Sequence, residues 1–485
     1  MIYYLKVVLN KMDFFKTIKN KTGKITSLAT LLVAIGASQV YADEPKDKTP
    51  IKRTINGEQK QETELKDLEG CFKYEPKQNP AENIVNKERE QKNLPFLPMN
   101  LGRKTNSIST YSAGDLLADT LADIKLCFPE IDDSYLDRIM LTATAGGLAL
   151  AVNLVSHENA HKTNYEDGGI KAKIHYFRSF KSVGEVSIRP NSISSLFGVP
   201  STKAAGINQQ QFNAERGRLL GIRTNNSTAY EQLFRNILIL TNKFEAANYA
   251  STVYANGHIP GHDVGGYIES MNWRQRPIHA NEILASSIAA AALSGASIDS
   301  LINVISYLKN PDNKPKHISA KINSLEFFLP DFSYYLTPEG SFYTATITAK
   351  VKNKTLQLKN GVGRTGETVE ISAYDLNTGK ISFHPYVGVS HKRKTKDIDI
   401  STEPGATLEV INLNSIETNT EEFGGKVGLG FTINLSRQFA LIGDISIAKD
   451  DLMTQYVFAQ GNKTMVEGGG GLNASGFIWL YGNIN

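Results

Sequence analysis

Eighteen consecutive uncharged residues, Ile139 to Ser156, run without a break into His157-Glu158-Asn159-Ala160-His161. The second half of that run, Leu148-Ala149-Leu150-Ala151-Val152-Asn153-Leu154-Val155, is strong helix material and predicts one long helix that carries the pentapeptide. On a helix, residues four apart share a face, so both imidazoles present the same side. Two neutral imidazoles are good donors for Zn²⁺. Glu158 follows the first histidine and can reach a water on such an ion. The metal lowers the pKa of that water, and a carboxylate placed there takes its proton as the water attacks a carbonyl.

His157, Glu158 and His161 form an HExxH pattern that resembles the zincin metalloproteases, over this one helix. The resemblance implies Zn²⁺ on His157 and His161, Glu158 as general base, a polypeptide substrate and a third protein ligand. Two routes to that ligand stay open. Asp167 stands ten residues after His157, as in the HExxHxxGxxD/H pattern, with Asn164 at the glycine position. Asparagine tolerates a left-handed turn there. Against it, Gly168-Gly169 suggests that the helix continues past Asn164 and stops at the glycines. The other route is a downstream glutamate on another helix. Glu215 is the best placed, with Glu231 and Glu245 behind it.

Other motifs read as structure. His258 and His262, with Asp263 beside the second, sit among Gly257, Pro260 and Gly261 and are expected in a polar surface loop. Met271 is expected to pack. Gly361-Val362-Gly363-Arg364-Thr365-Gly366 matches GxGxxG, but the strand pattern Thr368 to Tyr374 follows it. A pyrophosphate site needs a helix N-terminus at that point, so a β-turn is predicted instead.

A net charge of +4 over 485 residues gives no argument for nucleic acid. Two cysteines exclude a disulfide-dense scaffold. Lys16, Lys19, Lys21 and Lys24, then the apolar run Ile25 to Ala37, then Val40-Tyr41-Ala42, read as a secretory signal peptide over residues 1–42. The expectation is therefore an exported protein of the periplasm or outer membrane. Residues 43–112 are polar and proline-punctuated, a lead-in or propeptide. Cys71 and Cys127 lie either side of its end and could pair in an oxidising compartment.

The expected fold class is α+β. Residues 113–329 read as a mainly helical domain, with helices at Ala113–Phe128, from Asp132 or Asp133 into the HExxH, at Gln209–Leu220, Thr228–Tyr254 and Asn281–Lys309. The Ala-rich last helix is expected to pack on the motif helix. Ile170 to Val186 suggests a strand pair. From 330 to 485 the period changes to two: Val427, Leu429, Phe431 and Ile433 alternate with Gly428, Gly430, Thr432 and Asn434. Eight to ten such strands resemble an outer-membrane β-barrel. A soluble sandwich gives the same alternation with its apolar face inward.

Two functions from different classes follow. One is an exported zinc peptidase. The other is a non-enzymatic outer-membrane structural or transport protein with a periplasmic helical module, in which HExxH is incidental. A carboxylate beside both imidazoles favours the enzyme; splayed histidines favour its rival.

Overall fold

The computed structural model describes residues 134–167, 172–179, 182–188, 200–223, 229–257, 262–273, 276–311 and, with short gaps, 313–449, then 472–482. All of these belong to one compact unit, Gln78–Asn485. The signal peptide, the lead-in, both cysteines and the helix expected at Ala113–Phe128 lie outside the described residues.

The motif helix α1 runs Tyr135–Asp167. Ser134 caps it: its Oγ accepts the Asp137 N–H at 3.1 Å and donates to the Asp137 carboxylate at 2.5 Å. The first of these bonds satisfies one of the backbone donors that every helix start leaves open. A hairpin follows, β1 Ala172–Ser179 with β2 Ser182–Ile188. Next come the short α2 Pro200–Lys203, then α3 Ala205–Arg223, α4 Ala229–Asn256 and α5 Asp263–Trp273. Helix α5 begins at Asp263, directly after the stretch expected as a loop, of which residues 258–261 lie outside the described residues.

The single helix expected over Asn281–Lys309 is two, α6 Ala280–Leu293 and α7 Gly295–Lys309, bent by 60°. Ser294 makes the break. Its backbone is extended, and its Oγ accepts the N–H groups of Ala296 and Ser297 as an N-cap. The same hydroxyl donates to Asp331. A side chain at Gly295 would run into the Arg218 guanidinium, so the junction is locked from both sides. The packing expectation is corrected too: α6 lies on α4 and on strand β5 Asp331–Thr337, and it is α7 that meets α1.

The hydrophobic core sits where these helices cover β5. Ile207, Val264, Tyr267, Met271, Ile283 and Leu336 pack there with the small residues Ala204, Ala246 and Ala250. Each large aliphatic buried this way contributes roughly 1.5–3 kcal/mol. Met271 is thus a packing residue. Lys243 is fully buried, its ammonium donating to Phe332 O and Ser333 Oγ, both at 2.7 Å, and pairing with Asp331 at 3.2 Å. A buried charge is tolerated only when paired and hydrogen-bonded in this way.

Eleven strands form one antiparallel sheet. Its path is β15 Leu472–Gly482, β14 Phe439–Lys449, β13 Glu422–Asn434, β10 Ile381–Lys392, β8 Gly366–Tyr374, β7 Lys354–Gly363, β6 Gly340–Val351, β4 Leu325–Phe328 and β3 Ser319–Ile322. β5 pairs with β6, and β9 Leu376–Thr378 with β10. Strands β11 Thr395–Ser401 and β12 Asn412–Thr418 form a separate hairpin. The fold is α+β. Among the described residues the sheet does not close on itself. Strands begin at Ser319, so the boundary expected at residue 330 falls inside the sheet. The GxGxxG stretch is the β7–β8 hairpin, with Gly363 opposite Gly366.

Helix α3 lies on a polar face of this sheet. Glu215 accepts from Tyr335 Oη at 2.8 Å, Thr344 Oγ1 at 3.2 Å and Lys359 Nζ at 2.6 Å. Arg223 donates twice to Asp375, at 2.6 and 3.0 Å. The apolar positions of the same strands point the other way. Ile347, Leu358, Ile371, Val387, Val427 and Ile447 are all exposed.

Candidate metal centre

His157 and His161 are both buried on α1, and their Nε2 atoms face each other at 3.1 Å. The third group is Asp263, the first residue of α5. Its Oδ2 lies 2.7 Å from His157 Nε2 and 3.2 Å from His161 Nε2. Ligand atoms at about 2.0–2.1 Å from zinc stand roughly 3.3 Å apart at the corners of a tetrahedron. Two of the observed separations, 3.1 and 3.2 Å, are close to that edge, and the third, 2.7 Å, is shorter.

Each imidazole is fixed from behind. His157 Nδ1 is 3.2 Å from Gln210 Oε1 on α3, and His161 Nδ1 is 2.8 Å from the carbonyl of Thr202 on α2. Both partners are oxygens that only accept, so the Nδ1 atoms carry the protons and the Nε2 lone pairs are free to bind. Metal-binding histidines are oriented in this way by their outer partners. Two lone pairs and a carboxylate converging on one point require a positive charge there.

That charge is a proton when no ion is bound. Burial works against it, yet Asp263, followed by Glu158 and Glu245, lifts the pKa of His157 to about 9. Burial alone would raise the Asp263 acid; His161 and His157 hold it far below the usual carboxylate range. The site therefore stabilises a cation, and two imidazoles with one carboxylate fit zinc.

The wall is aromatic and acidic. Tyr249 on α4 stacks on His157 with ring centroids 5.5 Å apart, and His262 tilts against Tyr249 at 5.0 Å. Burial, then Asp263, Glu245 and Glu158 in that order, pushes the Tyr249 phenol well up, so the hydroxyl keeps its proton. Burial also raises the Glu245 acid, against the pull of His157. Glu158 is itself buried. Of the three side chains, that of Asp263 is the most exposed, at 17%.

Gly206, in the first turn of α3, packs against the His157 ring, and a Cβ there would collide with it. Gly206→Ala is expected to displace the imidazole and weaken metal binding, at a stability cost of roughly 1–3 kcal/mol. Metal titration and thermal melts read both effects; unchanged affinity would show that the ring position is not critical.

The two third-ligand routes are corrected. Glu215 faces the sheet, held by Tyr335, Thr344 and Lys359. Helix α1 stays unbroken through Asp167, so the sharp turn needed after His161 is absent. Six residues of helix separate Asp167 from His161, a rise of about 9 Å. Only the backbone of Asp167 and Glu231 is described. Glu245 belongs to the wall. The residue reasoning from sequence set aside is Asp263. Its signal was an aspartate placed just before the apolar run Val264 to Ile268, an ordinary helix start.

Comparison with protein-family models, with curated proteins and with solved structures gives no match at all. The site must be read from its own chemistry.

Proposed function

We propose that the chain is an exported, zinc-dependent peptidase. The observation that carries this reading is the convergence of His157, His161 and Asp263 at 2.7–3.2 Å, with both rear nitrogens anchored and Glu158 buried alongside. The signal-peptide pattern supports export. The three named residues would hold the ion, which would supply a water of lowered pKa and polarise the scissile carbonyl. Glu158 would be the group to accept a proton from such a water and to return one to the leaving amine. Tyr249, whose ring stacks on His157, helps to hold that imidazole in place. Gln210 and Thr202 keep the imidazoles aimed throughout.

Two histidines and one carboxylate also make the triad of non-haem iron oxygenases. Glu158, placed directly after the first ligand, favours hydrolysis, since an oxygenase has no use for a base at that point. The rival structural reading is favoured by splayed histidines or by a non-catalytic metal site; a carboxylate lying against both imidazoles supports the enzyme over the first of these. The test is cleavage of casein by the mature chain. Activity should disappear with a chelator and return with zinc. Activity indifferent to chelation, or restored by ferrous iron with oxygen consumption instead, would overturn the proposal.

A further inference from the structure

The sheet is inside out for a protein in water. An antiparallel sheet that covers a core on one side normally turns its apolar positions to that core and its polar ones to solvent. Here the covered side carries Thr344, the Glu215–Lys359 pair and the Arg223–Asp375 pair, and Glu370 and Lys426 pair there across β8, β10 and β13. The exposed side carries the aliphatics.

These aliphatics are in register. Ile347 lies opposite Leu358, Leu358 opposite Ile371, Ile371 opposite Val387, Val387 opposite Val427, and Val427 opposite Ile447. One uncharged row thus crosses six strands. Along β10 the positions on this face are Ile381, Phe383, Pro385, Val387 and Val389, all apolar. Eight residue steps at about 3.4 Å make roughly 27 Å along the strand, or about 19–22 Å of height at the roughly 35–45° tilt of membrane strands, against an apolar band of about 25 Å.

The row is bounded by charge on opposite sides. Two rows beyond it in one direction stand Glu367 and His391, 3.3 Å apart; in the other stands Lys354, beside Lys352, both exposed. A water-facing sheet would place charge in the middle as well. A flat interface with a second copy would not need a band of that height, nor a lysine rim suited to anionic headgroups.

We propose that this outer face of β6, β7, β8, β10, β13 and β14 stands in the hydrocarbon of a lipid bilayer, with Lys352 and Lys354 at one headgroup layer. The polar face, filled by α3, then holds the metal-bearing helices away from lipid. Since the described sheet is open, the inference concerns its outer face and not closure into a barrel.

The test uses the full mature chain, with Cys71→Ser and Cys127→Ser, reconstituted in phosphatidylethanolamine–phosphatidylglycerol vesicles. Single nitroxides are placed through Val387→Cys, Val427→Cys and Lys354→Cys. Collision with oxygen should exceed collision with an aqueous nickel chelate several-fold at the two valines, and the order should reverse at Lys354. Nickel access at the valines would overturn the proposal. So would shielding from both reagents with spin–spin broadening, which would assign the face to a second copy. Unlabelled wild-type chain provides a control independent of the substitutions: it should float with vesicles and resist alkaline extraction. Recovery in the soluble fraction would also overturn the proposal.

Discussion

Glu158→Gln is expected to lower peptide hydrolysis by roughly 10²–10⁴-fold, the usual contribution of a positioned general base, while zinc content stays at the wild-type level. Glutamine keeps the shape of the side chain but cannot take a proton. Glu158 is not one of the three converging ligands, so the metal should remain. Initial rates on a fluorogenic peptide library, beside metal analysis of the same sample, separate the two readouts. Glu245→Gln is the informative companion. Glu245 is a second, half-buried acid whose charge acts on His157. A full loss there with Glu158→Gln still active would move the base to α4. Loss of zinc in Glu158→Gln would mean that the glutamate is a ligand and not a base.

The second large effect is expected at Asp263. Removing an outer partner of a metal-binding histidine typically costs about 10–100-fold in affinity. Asp263→Ala removes the proposed ligand and, among the described residues, the only carboxylate that touches both imidazoles, so the loss should exceed that range. Competitive titration against a chromophoric zinc chelator measures it directly. Asp167→Ala and Glu215→Ala, by contrast, should leave zinc affinity unchanged. Glu215→Ala should instead lower the melting temperature, because it removes the acceptor of the half-buried Lys359 ammonium and of the Tyr335 hydroxyl. A zinc deficit in Asp167→Ala with none in Asp263→Ala would refute the ligand assignment.

The helical half of the site was legible because it is local. Eighteen uncharged residues ending in HExxH state a helix, and helical geometry alone puts His157 and His161 on one face. Asp263 was not legible, since it reaches the histidines from 102 residues away. Nothing in a single sequence brings α5 to α1. The helix it begins was also hidden, because its glycines, Gly265 and Gly266, are poor helix formers in isolation. Tertiary packing decides there: Gly266 has the Lys203 side chain against it, and Val264 and Tyr267 fill the core.

The period-two texture placed the alternating faces of β10 and β13, since alternation is also local, but it gave eight to ten strands after residue 330 where eleven are described. It could not say which face meets the helices. That depends on what lies above the sheet, and α3 brings Glu215 and Arg223 to the polar side. The break at Ser294 was missed for a similar reason. The alanine-rich run on either side is uniformly helical, and the partners that lock the turn, Asp331 and Arg218, come from a strand and a helix distant in sequence.

The most direct test of the metal centre is the metal content of the mature chain, purified without chelator and measured by mass spectrometry beside the His157→Ala, His161→Ala double variant. Near one zinc per wild-type chain, and none in a folded double variant, is the predicted result. No zinc in the wild type even after zinc is supplied, or equal zinc in both proteins, would contradict the assignment of His157, His161 and Asp263 as its ligands.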